Sequence, residues 1–226
     1  MVNIFVEGYD LTAEYLREPL KKSIGPGKKV TVVAFSFRDS QVANAKQWDA
    51  LYSRANGRYY GGIVQPLLAY GVAEADIRFV NYFADTHESA AAAVRNADIV
   101  YLPGGRMDKM LERIDAFGLR EVLREHSGVI LGYSAGALVQ LGEYHVSPDD
   151  DTPQFGYHSG LGLLDGFYLE VHYEGNPVQR ACISRVLQER CRPVYATAKE
   201  NAAIIIDNGE MLLLGDVTRF DPEVIA

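Results

Sequence analysis

Residues 128–142, GVILGYSAGALVQLG, constrain the fold more than any other stretch, because they read as a strand, a sharp turn and a helix in immediate succession. Gly128-Val129-Ile130-Leu131 is a short, apolar, β-branched run, and Ala135 to Leu141 is built from good helix formers. Between them Gly132-Tyr133-Ser134-Ala135-Gly136 has the G-x-S-x-G spacing of a nucleophile elbow. The small neighbours let strand and helix approach closely, so that a serine on a strained turn presents its Oγ beyond the sheet edge. The amide of Ala135 and the dipole of the following helix are then placed to stabilise a developing oxyanion.

The rest of the chain alternates strand and helix around this point. Val2 to Val6 reads as a strand, Thr12 to Ser23 as a helix stopped by Gly25-Pro26-Gly27, and Lys28 to Phe37 as a second strand. A helix over Gln41 to Arg54, another through Leu67-Leu68, a strand from Asp76 to Phe83, a helix from Glu88 to Ala97 and a strand from Asp98 to Leu102 follow. Two short helices, Met107 to Ile114 and Phe117 to Arg124, precede the elbow strand. Beyond the elbow, Glu143 to Gly160 reads as a long irregular loop, of a kind that is often functional. Leu161 to Val171 reads as a strand ending at His172, Asn176 to Arg190 as a helix, and Pro193 to Ala198 as a strand. Ala202 to Leu214 reads as a hairpin turned at Asp207-Asn208-Gly209. The prediction is a single α/β domain over residues 1–226, with one mostly parallel sheet flanked by helices on both faces and a C-terminal antiparallel hairpin.

Composition removes several alternatives. A formal net charge of −8 speaks against nucleic acid or an anionic membrane surface as partner. No apolar run approaches about 18 residues, and the N-terminus lacks a basic region followed by an apolar block, so a cytoplasmic protein is expected. Cys182 and Cys191 form neither a CxxC pair nor a disulfide framework. An exposed apolar strand edge would favour a homodimer.

A serine hydroxyl needs a base within hydrogen-bond reach, and the base an orienting acceptor. Of the five histidines, His87 and His126 fall at helix ends and His145 and His158 in the irregular segment. His172 stands at the carboxyl end of a strand, the edge that also carries Ser134 and where sites gather in such sheets. For the acid, Glu200 follows a later strand, and Asp149, Asp150 and Asp151 lie in the loop after the elbow helix. Pro103-Gly104-Gly105-Arg106 ends the strand before the elbow strand, where a glycine amide can come within about 3 Å of a substrate oxygen. Tyr59, Tyr60, Tyr157 and Tyr173 are candidates for a pocket wall.

Taken together, Gly132-Tyr133-Ser134-Ala135-Gly136-Ala137, Pro103-Gly104-Gly105, His172 and Glu200 resemble, in order and spacing, the serine peptidases of family S51, which include dipeptidase E and cyanophycinase. The chain order Ser, His, Glu departs from that of the α/β-hydrolases. The resemblance implies a class I glutamine-amidotransferase-like fold and acyl transfer without metal or organic cofactor. It implies Ser134 as nucleophile, His172 as general base and Glu200 as orienting acid, with Asp149 or Asp150 as alternative third member. Gly105 and Ala135 would supply the oxyanion amides. The implied substrate is a small peptide, with an acidic-residue preference served by Arg106 or Arg180. Gly104-Gly105-Arg106 replaces the Gly-Gly-Asn usual in dipeptidase E-like members, and the arginine-containing segment after the histidine is shortened. Another amide or ester hydrolase on the same scaffold, or a non-catalytic binding protein retaining the fold, are the alternatives. A glutamine-amidotransferase subunit would need cysteine at the elbow.

Overall fold

The computed structural model describes residues 1–149 and 152–222, with the side chain of Glu200 outside the description. Strands β1 (Val2–Val6), β2 (Val30–Val33), β3 (Ile77–Val80), β4 (Ile99–Leu102) and β5 (Val129–Tyr133) are all mutually parallel where they pair, in the order β1-β5-β4-β2-β3. Helices α1 (Glu14–Leu20), α2 (Ala45–Tyr52), α3 (Tyr60–Ala69), α4 (His87–Arg95), α5 (Met107–Ala116) and α6 (Leu119–Arg124) form the crossovers. β1, β2, β4 and β5 are mostly apolar because both faces are covered, whereas the edge strand β3 carries the exposed Arg78. Ile4, Val6, Ile99, Tyr101 and Leu131 pack with residues of α1, α2 and α3, whereas Phe5, Val100, Leu102 and Ile130 pack with residues of α4, α5 and α6. The period-2 alternation of side chains thus feeds two cores from the same five short strands.

After the one-turn helix α7 (Ala135–Leu138) the chain departs from expectation. The segment expected to be irregular contains an antiparallel pair, β6 (Glu143–Val146) with β7 (Gly156–Ser159). Tyr144 and Val146 are buried in the core that lies under α5 and α6, so tertiary packing ordered a stretch whose turn residues conceal its strand pattern. The strand expected from Leu161 begins only at β8 (Tyr168–Tyr173), and residues 161–167 run irregularly towards it.

Helix α8 (Pro177–Arg190) starts where predicted, with the Asn176 side chain accepting from the Gln179 amide and proline in the first turn. The last two predicted strands are one continuous β9 (Val194–Asp207), paired with β10 (Glu210–Phe220) through the turn at Asn208-Gly209. Both turn residues have positive φ, 49° and 85°, as that dipeptide favours. β9 runs antiparallel to β1 along one half and parallel to β8 along the other. It therefore joins β8, and the histidine on it, to the elbow end of the main sheet. None of the described helices is long and apolar enough to cross a membrane.

Candidate active site

The turn at Ser134 shows why its neighbours are glycines. A Cβ on Gly132 would lie 2.2 Å from the Gly136 carbonyl oxygen, and a Cβ on Gly136 would lie 1.8 Å from that of Leu102. Strand, turn and helix are in backbone contact, which no other residue permits. Ser134 itself has φ 52° and ψ −109°, a conformation that costs a non-glycine residue of order 1–3 kcal/mol. α7 is a single turn, shorter than expected, so the individual amides matter here more than a macrodipole.

His172 meets this serine from β8. The Ser134 hydroxyl lies 2.7 Å from His172 Nε2. His172 is also held at positive φ, 53°, at a register shift between β8 and β9, and its carbonyl accepts from Gln179 Nε2 at 3.0 Å. The carboxylate on the far side of the ring is that of Glu7, the residue after β1. Its Oε2 stands 2.8 Å from Nδ1, close enough for strong electrostatic pairing although the ring N–H does not point along that line. The same oxygen accepts the better-aligned backbone N–H of His172 at 3.0 Å, and Oε1 accepts the Thr197 hydroxyl at 2.5 Å. Glu7 is 3% exposed. Pairing with Glu7 raises the His172 pKa above its ordinary value, against the opposing effect of burial.

Glu200, expected to follow a strand, lies within β9, and its side chain and Asp150 fall outside the described residues. Asp149 lines the cavity beside His172 and accepts the Thr152 amide on Oδ1 at 2.6 Å. The sequence expectation looked for a carboxylate only after Ser134 in chain order, whereas Glu7 precedes it. The available signal was a charged residue directly after the strand that pairs with the elbow strand, Val6 lying opposite Tyr133.

Parallel pairing of Leu102 with Gly132 brings the Gly104-Gly105 turn against Ser134, so that a Cβ on Gly104 would come within 3.4 Å of the Ser134 Cβ. Neither the Gly105 nor the Ala135 amide has a backbone acceptor among the described residues.

A cavity of about 620 Å³ opens over Ser134. Its lining includes Tyr9, Tyr52, Tyr59 and Arg38 together with Asp149, Glu170 and Glu174. Of the tyrosines expected in a pocket wall, only Tyr59 lines it; Tyr60 stacks on Phe79, Tyr157 donates to Glu189, and Tyr173 packs on Phe220. Arg106 lines the cavity while making a bidentate pair with Asp108 at 2.9 and 3.0 Å. Arg180 lies away from the cavity lining, with Nε donating to the Gly175 carbonyl at 2.8 Å. Within the lining, His145 Nε2 and the Ser147 hydroxyl each lie 2.7 Å from Glu170 Oε2, tying β6 and the residue after it to β8. Among the described residues no group of three or more His, Cys, Asp or Glu side chains could hold a metal ion.

The profile of peptidase family S51 matches residues 62–214, a span that holds the glycine turn, Ser134 and His172. The chain belongs to peptidase family S51. As a member of that family it is a peptidase. Among solved structures it is similar to a candidate Peptidase E protein from Listeria monocytogenes EGD-e, with a TM-score of 0.62 and 16% identity over 97% of this chain and 98% of the other. It is also similar to a peptidase from an acI-B1 Actinobacterium, with a TM-score of 0.61 and 18% identity over 97% of this chain and 93% of that one. At such identities the similarity establishes a shared α/β fold. No curated protein matches the sequence.

Proposed function

We propose that this S51 peptidase is a cytoplasmic serine enzyme that hydrolyses small peptides through an acyl-enzyme on Ser134, with His172 as base and Glu7 as the acid that orients it. The observation that carries the reading is the 2.7 Å contact between Ser134 Oγ and His172 Nε2 at a strained elbow. As Oγ attacks the scissile carbonyl carbon, its proton passes to Nε2, and the imidazolium is stabilised by the Glu7 carboxylate. The amides of Gly105 and Ala135 receive the negative charge on the carbonyl oxygen. The tetrahedral species collapses as Nε2 returns the proton to the leaving amine. A water then repeats the sequence on the ester and releases the acid.

The cavity suits a short peptide. Among the described residues Arg106 and Arg38 are the Lys or Arg side chains that line it, so a preference for an acidic residue rests on them; Arg180 lies away from it. The test is labelling by a fluorophosphonate probe of wild type, Ser134→Ala and His172→Ala, followed by a dipeptide panel that includes acidic first residues and simple esters. Labelling that requires both residues, with peptide turnover, is expected. A folded wild type that takes no label and cleaves nothing in the panel refutes it.

A further inference from the structure

A Gly-Gly turn is a poor choice for a fixed hydrogen-bond donor, because the peptide between two glycines can turn over at little steric cost. Something outside the turn must choose its orientation. In a trans peptide the C=O and N–H lie on opposite sides of one plane, so a group that holds the Gly104 carbonyl also fixes where the Gly105 N–H points. The Ser36 hydroxyl donates to the Gly104 carbonyl at 2.6 Å, and the Arg106 amide donates to the Ser36 carbonyl at 2.7 Å. One residue thereby grips the turn on both sides of Gly105. The fit is close, since a Cβ on Gly105, whose φ is 138°, would fall 2.5 Å from the Ser36 carbonyl oxygen.

Ser36 is itself held. It follows β2, is 1% exposed and makes a side-chain hydrogen bond with Tyr52. Buried Arg113 of α5 donates from Nη1 to the carbonyls of Phe35 and Phe37, the two neighbours of Ser36, at 2.5 and 2.7 Å. Its Nη2 donates to Asp39 at 2.5 Å, and the guanidinium lies 3.6 Å from the centre of the Phe37 ring. Three carbons of arginine side chain thus anchor the loop from a helix in the core.

We propose that Ser36, braced by Arg113, is a positioning residue that sets the Gly104–Gly105 peptide with its N–H towards the oxygen of the reacting carbonyl. Accepting the hydroxyl also polarises that peptide and strengthens its N–H as a donor. The proposal rests on the serine-peptidase reading above.

The test compares wild type with Ser36→Ala in rate of inactivation by the fluorophosphonate probe, resolving the maximal rate from the apparent affinity across pH. Deleting an oxyanion donor outright costs about 10²–10³-fold, and loosening one is expected to cost roughly 10–100-fold. The expected result is that loss in the maximal rate, with affinity within about twofold and the His172-dependent acid limb unmoved. Ser36→Thr, which restores a hydroxyl, is expected to recover most of the rate. Ser36→Cys, close in size and a weak donor, replaces the alanine variant should that fail to fold. A maximal rate within about twofold of wild type, or a loss carried by affinity, overturns the positioning role and leaves the peptidase reading standing. A wild type that takes no label overturns both.

Discussion

Glu7→Gln is the sharpest perturbation of the proposed triad, because it removes a charge and almost no volume at a site 3% exposed. With the amide oxygen towards His172, the backbone N–H keeps its acceptor, and Nδ1 keeps a polar oxygen at the same position, 2.8 Å away. The new NH2 then faces Thr197, whose hydroxyl can turn to the Glu170 carbonyl 3.2 Å away. The fold should therefore survive. What is lost is the attraction between carboxylate and imidazolium across 2.8 Å. At an effective dielectric of about 20 that attraction is about 6 kcal/mol, and water reaching the 37% exposed imidazole reduces it. A loss of 10²–10⁴-fold in kcat, about 2.7–5.5 kcal/mol of barrier, is the expected range. The pH profile carries an independent sign. Catalysis needs neutral His172, and Glu7 raises its pKa, so wild type should lose activity on acidification at a higher pH than an unperturbed histidine would dictate. Removing the charge should move that acid limb to lower pH. Steady-state kinetics between about pH 5 and 9, with circular dichroism to confirm the fold, decide it. Unchanged kcat and acid limb in Glu7→Gln, together with loss of activity in Glu200→Gln, would refute Glu7 as the orienting acid and restore Glu200.

Gly136→Ala drives a Cβ to 1.8 Å from the Leu102 carbonyl oxygen, and is expected to cost at least ~3 kcal/mol, lowering Tm by about 6 °C or more in calorimetry. His145→Leu removes one of two hydrogen bonds to the buried Glu170 carboxylate; a loss of about 1.5–3 kcal/mol in denaturant unfolding is expected, whereas an unchanged midpoint would show that pair to be idle. Arg180→Ala should leave kcat/KM for acidic dipeptides within about twofold, because that side chain lies away from the cavity lining, whereas Arg106→Ala should raise KM for them by roughly 5–20-fold on losing a charge-assisted contact.

Much of this protein was legible in the sequence because the signals are local or periodic. G-x-S-x-G predicts a backbone contact that only glycine allows, and the contact distances at Gly132 and Gly136 show that contact. Asn208-Gly209 turns the hairpin, Asn176-Pro177 starts α8, and the apolar runs of β4 and β5 mark strands buried on both faces. The β6–β7 pair and the continuity of β9 escaped because cross-strand pairing overrode residues that read as turn formers. The contacts around Ser134 divide the same way. Ser134, Gly105 and His172 stand at strand ends that periodicity can find. Their supporting partners do not: Glu7 lies 165 residues from His172, Thr197 190 residues from Glu7, and Ser36 68 residues from Gly104. No propensity links residues so far apart. They meet because β1 pairs with both β5 and β9, and β2 with β4, so the carboxyl ends of strands from opposite ends of the chain converge on one edge. Sequence alone determined where a nucleophile could stand; the order of strands in the sheet decided which carboxylate faces its histidine and which hydroxyl steadies the peptide beside it.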